Sequence, residues 1–571
     1  MSSISIQTLG AGSEVGRSCF LVTIDDTTIL IDAGVHMNPV NKEDRVPTIT
    51  PETMISAVIV THYHMDHVGA LPYLTEVSRS ISEDTEIFMT SPTKTLSPLV
   101  CLDYSRGPNE DLYVPNHVYS CFRSSRIKII GCGEEVMLRL NAEFKCNVVY
   151  AGHVLGGVML ILRYRGKTVV YTGDFSVTEH DVLLDPIRIP PKLIPKAGCD
   201  VVISESTHAT TVDPKKTATT ESLVCDRIQN IIARGGRVLI PVFAVGRTQE
   251  IASMLRRRLG NGIPLFTTSP SGHRASAVMS VFHRQWMKPG SIPPDLNITL
   301  LGEKDDFPAN AVVFASPSMI EGGSSLRLFG QICSDPKSLV LLTGYCNRGT
   351  VGNSVIFFSS RRDVRDRSVS IMNTKREVNC ECMYVPLTNH TDGEGIVKVL
   401  RQLRPRSGLV LVHGQRDKIE RFSERIRNEA IIDPRCEIVI PMNYDTSVFN
   451  PSIPITTTTR NEMLIIVKRR IPVSTRFTIR SLEEDVRALL PYCEISGIDS
   501  ELFIRDGRCS LTLWLDDSDL VLKWNSDRRM GARWIRANPL ADCVSRVLVL
   551  KTYLACTGIC DDTFSVSECS D

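Results

Sequence analysis

Short apolar runs, each closed at its carboxyl end by a polar residue, recur through the N-terminal part of the chain. Ile4-Ser5-Ile6 runs into the glycine turn Leu9-Gly10-Ala11-Gly12, and Cys19-Phe20-Leu21-Val22 follows. Ile29-Leu30-Ile31 ends on Asp32, and Ala57-Val58-Ile59-Val60 ends on a histidine cluster. Val148-Val149-Tyr150 leads to His153, Thr168-Val169-Val170-Tyr171 to Asp174, and Val201-Val202-Ile203 to Glu205. Much later, Leu409-Val410-Leu411-Val412 ends on His413. Continuous runs of this kind predict strands buried on both faces, as in a layered α/β sandwich. Sites collect at the ends of such strands, and six of these ends carry Asp, Glu or His.

Between Glu205 and His413 the pattern changes. Thr220 to Ala233 has helical periodicity, broken by Gly235-Gly236, and Arg237 to Pro241 reads as a strand before a second helix, Gln249 to Leu259. Ala311 to Phe314 and Leu339 to Leu342 predict further buried strands that end in glycine turns. Chemistry-bearing residues resume only after this block, so it is expected to be a second α/β domain inserted into the first. The charged helix Arg416 to Glu429 then closes the first domain. From about Ile455 a third pattern begins: strands at Met463 to Val467, Leu511 to Leu515 and Val547 to Leu550, with Arg480 to Leu490 helical. No His or acid cluster marks chemistry there, and an α/β association module with strand edges open to a partner is expected.

The histidine cluster is Thr61-His62-Tyr63-His64-Met65-Asp66-His67-Val68-Gly69. Imidazole nitrogen and carboxylate oxygen are the ligands that a borderline metal such as zinc accepts. In an extended segment His62 and His64 point to one side. Asp66 and His67 are too many to crowd round one ion and can serve a second. A single His-x-His is compatible with a polar surface loop; this density at the end of a buried strand is not. Counted against two ions, His62, His64, His153 and Asp174 supply one, while Asp66, His67, His413 and a bridging Asp174 supply the other. Two metals about 3.5–4 Å apart generate hydroxide at neutral pH and stabilise an in-line phosphoryl displacement. Asp32 is then one ligand too many: it fits either a group orienting a ligand from behind or an Asx-turn before Gly34. His390 is the free candidate for protonating a leaving group, with Glu205 to orient it. Taken alone, His390 fits a satisfied turn histidine better.

Bulk properties narrow the setting. A chain of 571 residues exceeds one core, so two to four domains are expected. No apolar run reaches the roughly 18 residues of a membrane span, and the N-terminus shows no basic leader pattern. A net charge of +1 argues against a basic surface throughout, so any nucleic-acid contact should be a local cleft. The 18 cysteines are scattered, and Cys380-x-Cys382 and Cys556-x-x-x-Cys560 lack a matching second pair, which predicts reduced thiols in a nuclear or cytosolic protein.

With these residues in hand, the sequence resembles the metallo-β-lactamase/β-CASP nucleases, in their eukaryotic RNA 3′-end processing branch, over residues 4 to 450. Leu9-Gly10-Ala11-Gly12 with Val15-Gly16-Arg17-Ser18-Cys19, Ala151-Gly152-His153-Val154-Leu155-Gly156, Ile240-Pro241-Val242-Phe243-Ala244 with Gly246-Arg247, and Gly344-Tyr345-Cys346 look like signatures of that branch. Glu205 to Thr211 and Gly349 to Gly352 are more similar to the Integrator-type endonucleases, with the pre-mRNA cleavage and polyadenylation type as the alternative.

The resemblance implies a four-layer αββα sandwich (1–208 and 384–450), an inserted β-CASP domain (209–383) and a C-terminal partner-binding domain (455–571). It implies that His62, His64, Asp66, His67, His153, Asp174 and His413 hold two zinc ions. Asp32, Asp66, Glu205 and His390 would be the catalytic set. The activity implied is endonucleolytic hydrolysis of single-stranded RNA in the nucleus, within a larger processing complex and beside a homologous inactive subunit. Asn389 stands where the family has a small residue before His390, Gln415 replaces an acid after His413, and His208 replaces a tyrosine. Inactive scaffold subunits of this branch lose ligands, whereas this chain keeps all of them; a small-molecule hydrolase would lack the inserted block. Aromatic residues are only 6% of the chain, so RNA selectivity is expected to come from partner proteins.

Overall fold

The computed structural model describes residues 3–450 except 38, 40, 51–52, 106–110, 139–140, 178–184, 212–217, 289–295, 345, 362–363, 365, 372–373 and 388, and beyond 450 only strand segments within 464–569. The chain forms two compact units, Met1–Pro454 and Ile455–Asp571.

In the first unit two seven-stranded sheets face each other. One runs Thr446–Phe449, Ile4–Gly10, Cys19–Ile24, Thr27–Ile31, Ala57–Ile59, Glu86–Met89, Ile127–Ile129. The other runs Glu437–Val439, Gly408–Val412, Val201–Glu205, Lys167–Tyr171, Val158–Tyr164, Asn141–Tyr150, Glu135–Leu138. Side chains alternate faces along a strand, and the burial follows that rule. Val158, Leu160 and Leu162 join Phe20, Ile29, Ile31 and Ile59 in the core between the sheets. Met159 and Ile161 point the other way, onto the helices Gly393–Leu403 and Arg416–Asn428 through Ile396, Leu400, Ile419 and Phe422. The outward residues Leu30, Val58 and Ile87 pack on the helices Ser91–Tyr104 and Pro115–Arg123 through Leu102, Val118 and Phe122. These are the four layers, αββα.

Helix Arg416–Asn428 shows why such an element forms. It is charged almost throughout, and its Arg–Glu and Arg–Asp pairs at four-residue spacing are exposed and worth little. Ile419, Phe422 and Ile426, at helical spacing, are its buried residues, and each contributes about 1.5–3 kcal/mol. Packing rather than charge pairing holds it.

The chain leaves the second sheet after Val201–Glu205 and returns to pair with it in parallel at Gly408–Val412. Between these it builds a six-stranded sheet: Ile298–Leu300, Leu265–Thr267, Val312–Ala315, Val238–Pro241, Leu339–Leu342, Glu381–Tyr384. All five adjacent pairs are parallel, and both faces are covered. Helices Ala218–Ala233, Arg247–Leu259 and Pro270–Trp286 lie on one side, Gly323–Ile332 and Val351–Ser360 on the other. The core of this inserted layer also takes in Tyr63, Leu96, Val154 and Leu155 from the sandwich, so the loops bearing His62, His64 and His153 are clamped between two cores.

The predicted helices at 220–233, 249–259 and 416–429 appear within a residue or two of those bounds. The sandwich does not end with Arg416–Asn428: Thr446–Phe449 pairs antiparallel with Ile4–Gly10 and closes the first sheet with the chain's earliest strand. In the second unit, Glu494–Ile498, Glu501–Asp506, Cys509–Asp516 and Asp519–Ser526 form an antiparallel meander, and Leu464–Val467 pairs with Val566–Cys569. The expected helix at 480–490 and strand at 547–550 lie outside the described residues. Among the described residues no helix is long and apolar enough to cross a membrane.

The loop 61–70 is bound to 33–35 by backbone contacts: Ala33 N to His67 O 2.7 Å, Val35 N to Met65 O 2.9 Å and Ala70 N to Ala33 O 2.8 Å. A Cβ on Gly34 would stand 1.8 Å from Asp66 O and 2.7 Å from Ser18 N, and neither backbone group can yield without moving the histidine loop. Gly34→Ala is therefore expected to cost about 1–3 kcal/mol by overpacking, read as a lowered urea midpoint at unchanged slope.

Candidate metal centre

Strand ends deliver the site. Asp32 ends Thr27–Ile31, the 61–69 segment follows Ala57–Ile59, His153 follows Asn141–Tyr150, Asp174 follows Lys167–Tyr171, Glu205 ends its strand and His413 follows Gly408–Val412. Asp32 and His413 adopt φ +60° and +55°, the left-handed region that costs an L-residue about 1–3 kcal/mol. Each is held there by a backbone bond, Asp32 N to Ile59 O 2.9 Å and His413 N to Ala11 O 2.7 Å.

Three groups of donors result. His62, His64, His153 and Asp174 have ligand atoms within 4.8 Å of one another, as do Asp66, His67 and His413. The third group joins Asp174 to Glu205, His390 and His413. In the first group, His64 Nδ1 lies 3.2 Å from both His62 Nε2 and His153 Nε2. Ligands about 2.0–2.1 Å from a tetrahedral ion stand about 3.3–3.4 Å apart, so the spacing suits one ion. Asp174 Oδ2 is 3.8 Å from His62, 3.7 Å from His153 and 3.2 Å from His67 Nε2. Its Oδ1 is buried without a hydrogen-bond partner, 3.6 Å from His413 Nδ1. A buried carboxylate oxygen with no hydrogen-bond partner among imidazoles is a position that a cation would satisfy. Asp66 Oδ2 lies 3.2 Å from His413 Nε2 and 4.0 Å from His67 Nε2. The donor set fits a metal cofactor.

Electrostatics agree. Burial, reinforced by neighbouring imidazoles, pushes His62 and His153 well below the usual histidine range. Burial likewise brings His64 down to about 4. All three are neutral near pH 7, with lone pairs available. Burial opposes the charge on Asp174, but His413, His67 and His390 outweigh it and hold the carboxyl well below its usual range. Burial also opposes protonation of His67, yet Asp174, Asp32 and Asp66 together raise it well above the ordinary value.

The outer contacts orient the ligands. Asp32 is wholly buried; its Oδ2 lies 2.8 Å from His67 Nδ1 and accepts from Tyr171 OH at 3.1 Å, while Oδ1 accepts from Thr61 N at 2.7 Å. It therefore acts through His67 and forms no Asx-turn. His153 Nδ1 faces the Asn389 oxygen at 3.1 Å. His413 Nδ1 meets Thr207 Oγ1 at 2.9 Å, and that hydroxyl donates to Glu205 Oε2 at 2.7 Å. Glu205 Oε2 is also 2.7 Å from His390 Nδ1, while Oε1 accepts from Phe175 N at 2.7 Å. Glu205, Asp174 and Asp66 overcome the burial of His390 and raise it to about 9. His390 thus keeps its proton, with Nδ1 committed to Glu205. The His208 ring lies 5.9 Å from that of His390, and Gln415 is exposed at the start of helix Arg416–Asn428 without capping it.

All ten residues singled out from sequence meet here. Thr61, Thr207, Tyr171 and Asn389 were missed as supporting residues: Thr61 and Asn389 adjoin chosen residues, but no spacing rule marks them.

This fold and donor set define a metal-dependent hydrolase. Family models match in three places: the metallo-beta-lactamase superfamily over residues 12–79, the Beta-Casp domain over 248–355, and the Zn-dependent metallo-hydrolase RNA specificity domain over 375–436. The chain is 30% identical over 482 residues to Integrator complex subunit 11 of Danio rerio, covering 80% of this chain and 76% of that protein. It is 32% identical over 466 residues to Cleavage and polyadenylation specificity factor subunit 3-II of Arabidopsis thaliana, covering 77% and 72%. Cleavage and polyadenylation specificity factor 73 of Drosophila melanogaster is 30% identical over 456 residues, covering 76% and 63%. The chain belongs to the metallo-β-lactamase/β-CASP family of metal-dependent nucleases.

Asp174→Ala removes the carboxylate that belongs to the first donor group and lies 3.2 Å from His67 and 3.6 Å from His413 of the second. Metal analysis of the purified variant is expected to find neither ion bound; two ions per chain would contradict the shared position.

Proposed function

We propose that the protein is a two-zinc endoribonuclease that cuts single-stranded RNA in 3′-end processing of nascent transcripts, as an Integrator-type catalytic subunit in the nucleus. The observation that carries this is two adjacent donor groups, Asp174 of the first lying 3.2 Å from His67 of the second, beside a histidine, His390, that Glu205 orients. His62, His64, His153 and Asp174 would hold one ion, and Asp66, His67 and His413, with Asp174 beside them, would hold the other. A bound pair would supply a nucleophilic water at neutral pH and stabilise charge in an in-line phosphoryl displacement.

The chain's own residues do the rest. Asp32 and Thr207 hold the Nδ1 sides of His67 and His413, so that Nε2 of each faces the centre. Glu205 fixes the His390 ring and keeps its proton. His390 Nε2–H is then placed to protonate the departing oxygen. That assignment rests on geometry, since Nδ1 is committed to Glu205.

Zinc is supported by the nitrogen and oxygen donors and by the zinc-dependent description of the model matched at 375–436. The relatives' names support an RNA-processing complex, and the split between Integrator and cleavage-factor names makes pre-mRNA cleavage and polyadenylation the second reading. The segments 1–208 and 384–450 are read as the hydrolase sandwich, 209–383 as the cap, and 455–571 as the seat for a homologous inactive partner.

Zinc content and cleavage of a labelled single-stranded RNA, wild type beside His390→Ala, test the proposal. Two zinc ions and metal-dependent cutting are expected in the wild type. His390→Ala is expected to keep both ions and lose about 10²–10⁴-fold in rate, the usual contribution of general acid catalysis. An unimpaired variant returns His390 to a structural role, and a chain without zinc favours the scaffold reading. A full-length chain mixed with β-CASP homologues of this branch is expected to form a heterodimer on a sizing column, lost on truncation at 454.

A further inference from the structure

The inserted domain reaches the metal centre through Asn389, the buried residue that stands where the resemblance expects a small one. Its Nδ2 donates to Glu250 Oε1 at 2.7 Å and to the backbone oxygen of His153 at 3.1 Å. Its Oδ1 accepts from Arg247 Nη1 at 3.2 Å, and its backbone oxygen takes the Nδ1 side of His153 at 3.1 Å. Arg247 and Glu250 pair with each other, Nη1 to Oε2 2.7 Å, in the first turn of helix Arg247–Leu259. A guanidinium only donates and a carboxylate only accepts, so the Asn389 amide has a single orientation here. One side chain thus ties a ligand of the sandwich, a helix of the inserted domain and the peptide that carries His390.

We propose that Asn389 is a positioning residue that makes the His62, His64 and His153 metal site depend on the seating of the inserted domain. This rests on the metal-centre reading above. The carbonyl of residue 389 accepts the His153 Nδ1 proton and leaves the Nε2 lone pair turned toward His64 and Asp174. The Asn389 side chain holds that carbonyl in place by locking residue 389 onto the Arg247–Glu250 pair. Alanine at 389 keeps the carbonyl but loses the tie. Aspartate sets a like charge against Glu250 and forfeits both amide donors. Adding Glu250→Gln to Asn389→Asp restores the net charge of the trio. It also restores a hydrogen bond of reversed direction, the introduced amide at 250 donating to the introduced carboxylate at 389.

The test loads the metal-free full-length chain with Co2+, as wild type, Asn389→Ala, Asn389→Asp and Asn389→Asp/Glu250→Gln. Each is titrated with a chelator while the absorption of bound cobalt is followed, and thermal unfolding of the metal-free forms is measured alongside. The wild type is expected to hold two ions. In Asn389→Asp one of the two is expected to weaken about 10–100-fold, the usual loss when a residue behind a ligand is removed, with a changed absorption band. The double variant is expected to recover most of that affinity, which a general loss of stability would not do. Should Asn389→Asp fail to fold, Asn389→Ala carries the same comparison with a smaller loss. The proposal is overturned if both ions stay as tight in the single variants as in the wild type. It is also overturned if the double variant does no better than Asn389→Asp. A wild-type chain that takes up no cobalt overturns the metal-centre reading itself, and this inference with it.

Discussion

A carboxylate held away from water in the middle of imidazoles is the constraint on which the rest depends. Asp174 is almost wholly buried, and one of its oxygens has no hydrogen-bond partner. Burying a charge unpaired costs several kcal/mol, so the structure around it must supply compensating charge at fixed positions. The fold does this by bringing ends of strands from both sheets to one edge of the sandwich. Asp32 and His413 take left-handed backbone conformations there, strain that the packed strands on either side sustain. The site is therefore not decoration on a finished scaffold: the strand ends are shaped by where the donors must point.

The inserted layer completes what the sandwich leaves open. Tyr63, Val154 and Leu155 belong to the core of the inserted layer although they flank His62, His64 and His153 in sequence. Each ligand loop is thus pinned by apolar packing on one side and by hydrogen bonds on the other. The return segment from the insertion carries His390, and Glu205, at the point of departure, holds it. Entry to and exit from the insertion converge on one ion pair, which gives a simple physical reason for placing a large domain between these two strands.

Charge in this protein is local. The net charge is +1, yet the centre gathers six histidines with the acids around them, and burial and neighbours displace the protonation of His62, His64, His67, His153, His390 and Asp174. All five imidazoles are buried, yet His62, His64 and His153 are pushed below the ordinary histidine range while His67 and His390 are raised above it. That division follows the carboxylates: His67 faces Asp32, Asp66 and Asp174, and His390 faces Glu205.

The amino-acid sequence by itself determined the strands, because runs such as Val201-Val202-Ile203 and Leu409-Val410-Leu411-Val412 have no stable fate other than burial on both faces. It also determined the donor types, since each run closes on a residue with metal or acid–base chemistry. The density of His62, His64, Asp66 and His67 in one loop made a cluster of metal-type donors legible without coordinates. Sheet order was not legible: nothing local says that Thr446–Phe449 pairs with Ile4–Gly10, because hydrogen bonds between strands carry no residue code. Nor was the choice for Asp32 between turn and support, which depends on Thr61, His67 and Tyr171 arriving from other elements. Asn389 read as a departure from a pattern and became a tie between domains only once Arg247, Glu250 and His153 stood around it. Local chemistry and periodicity belong to the chain, whereas the partners of a buried polar group are set by long-range packing, which only the tertiary structure decides.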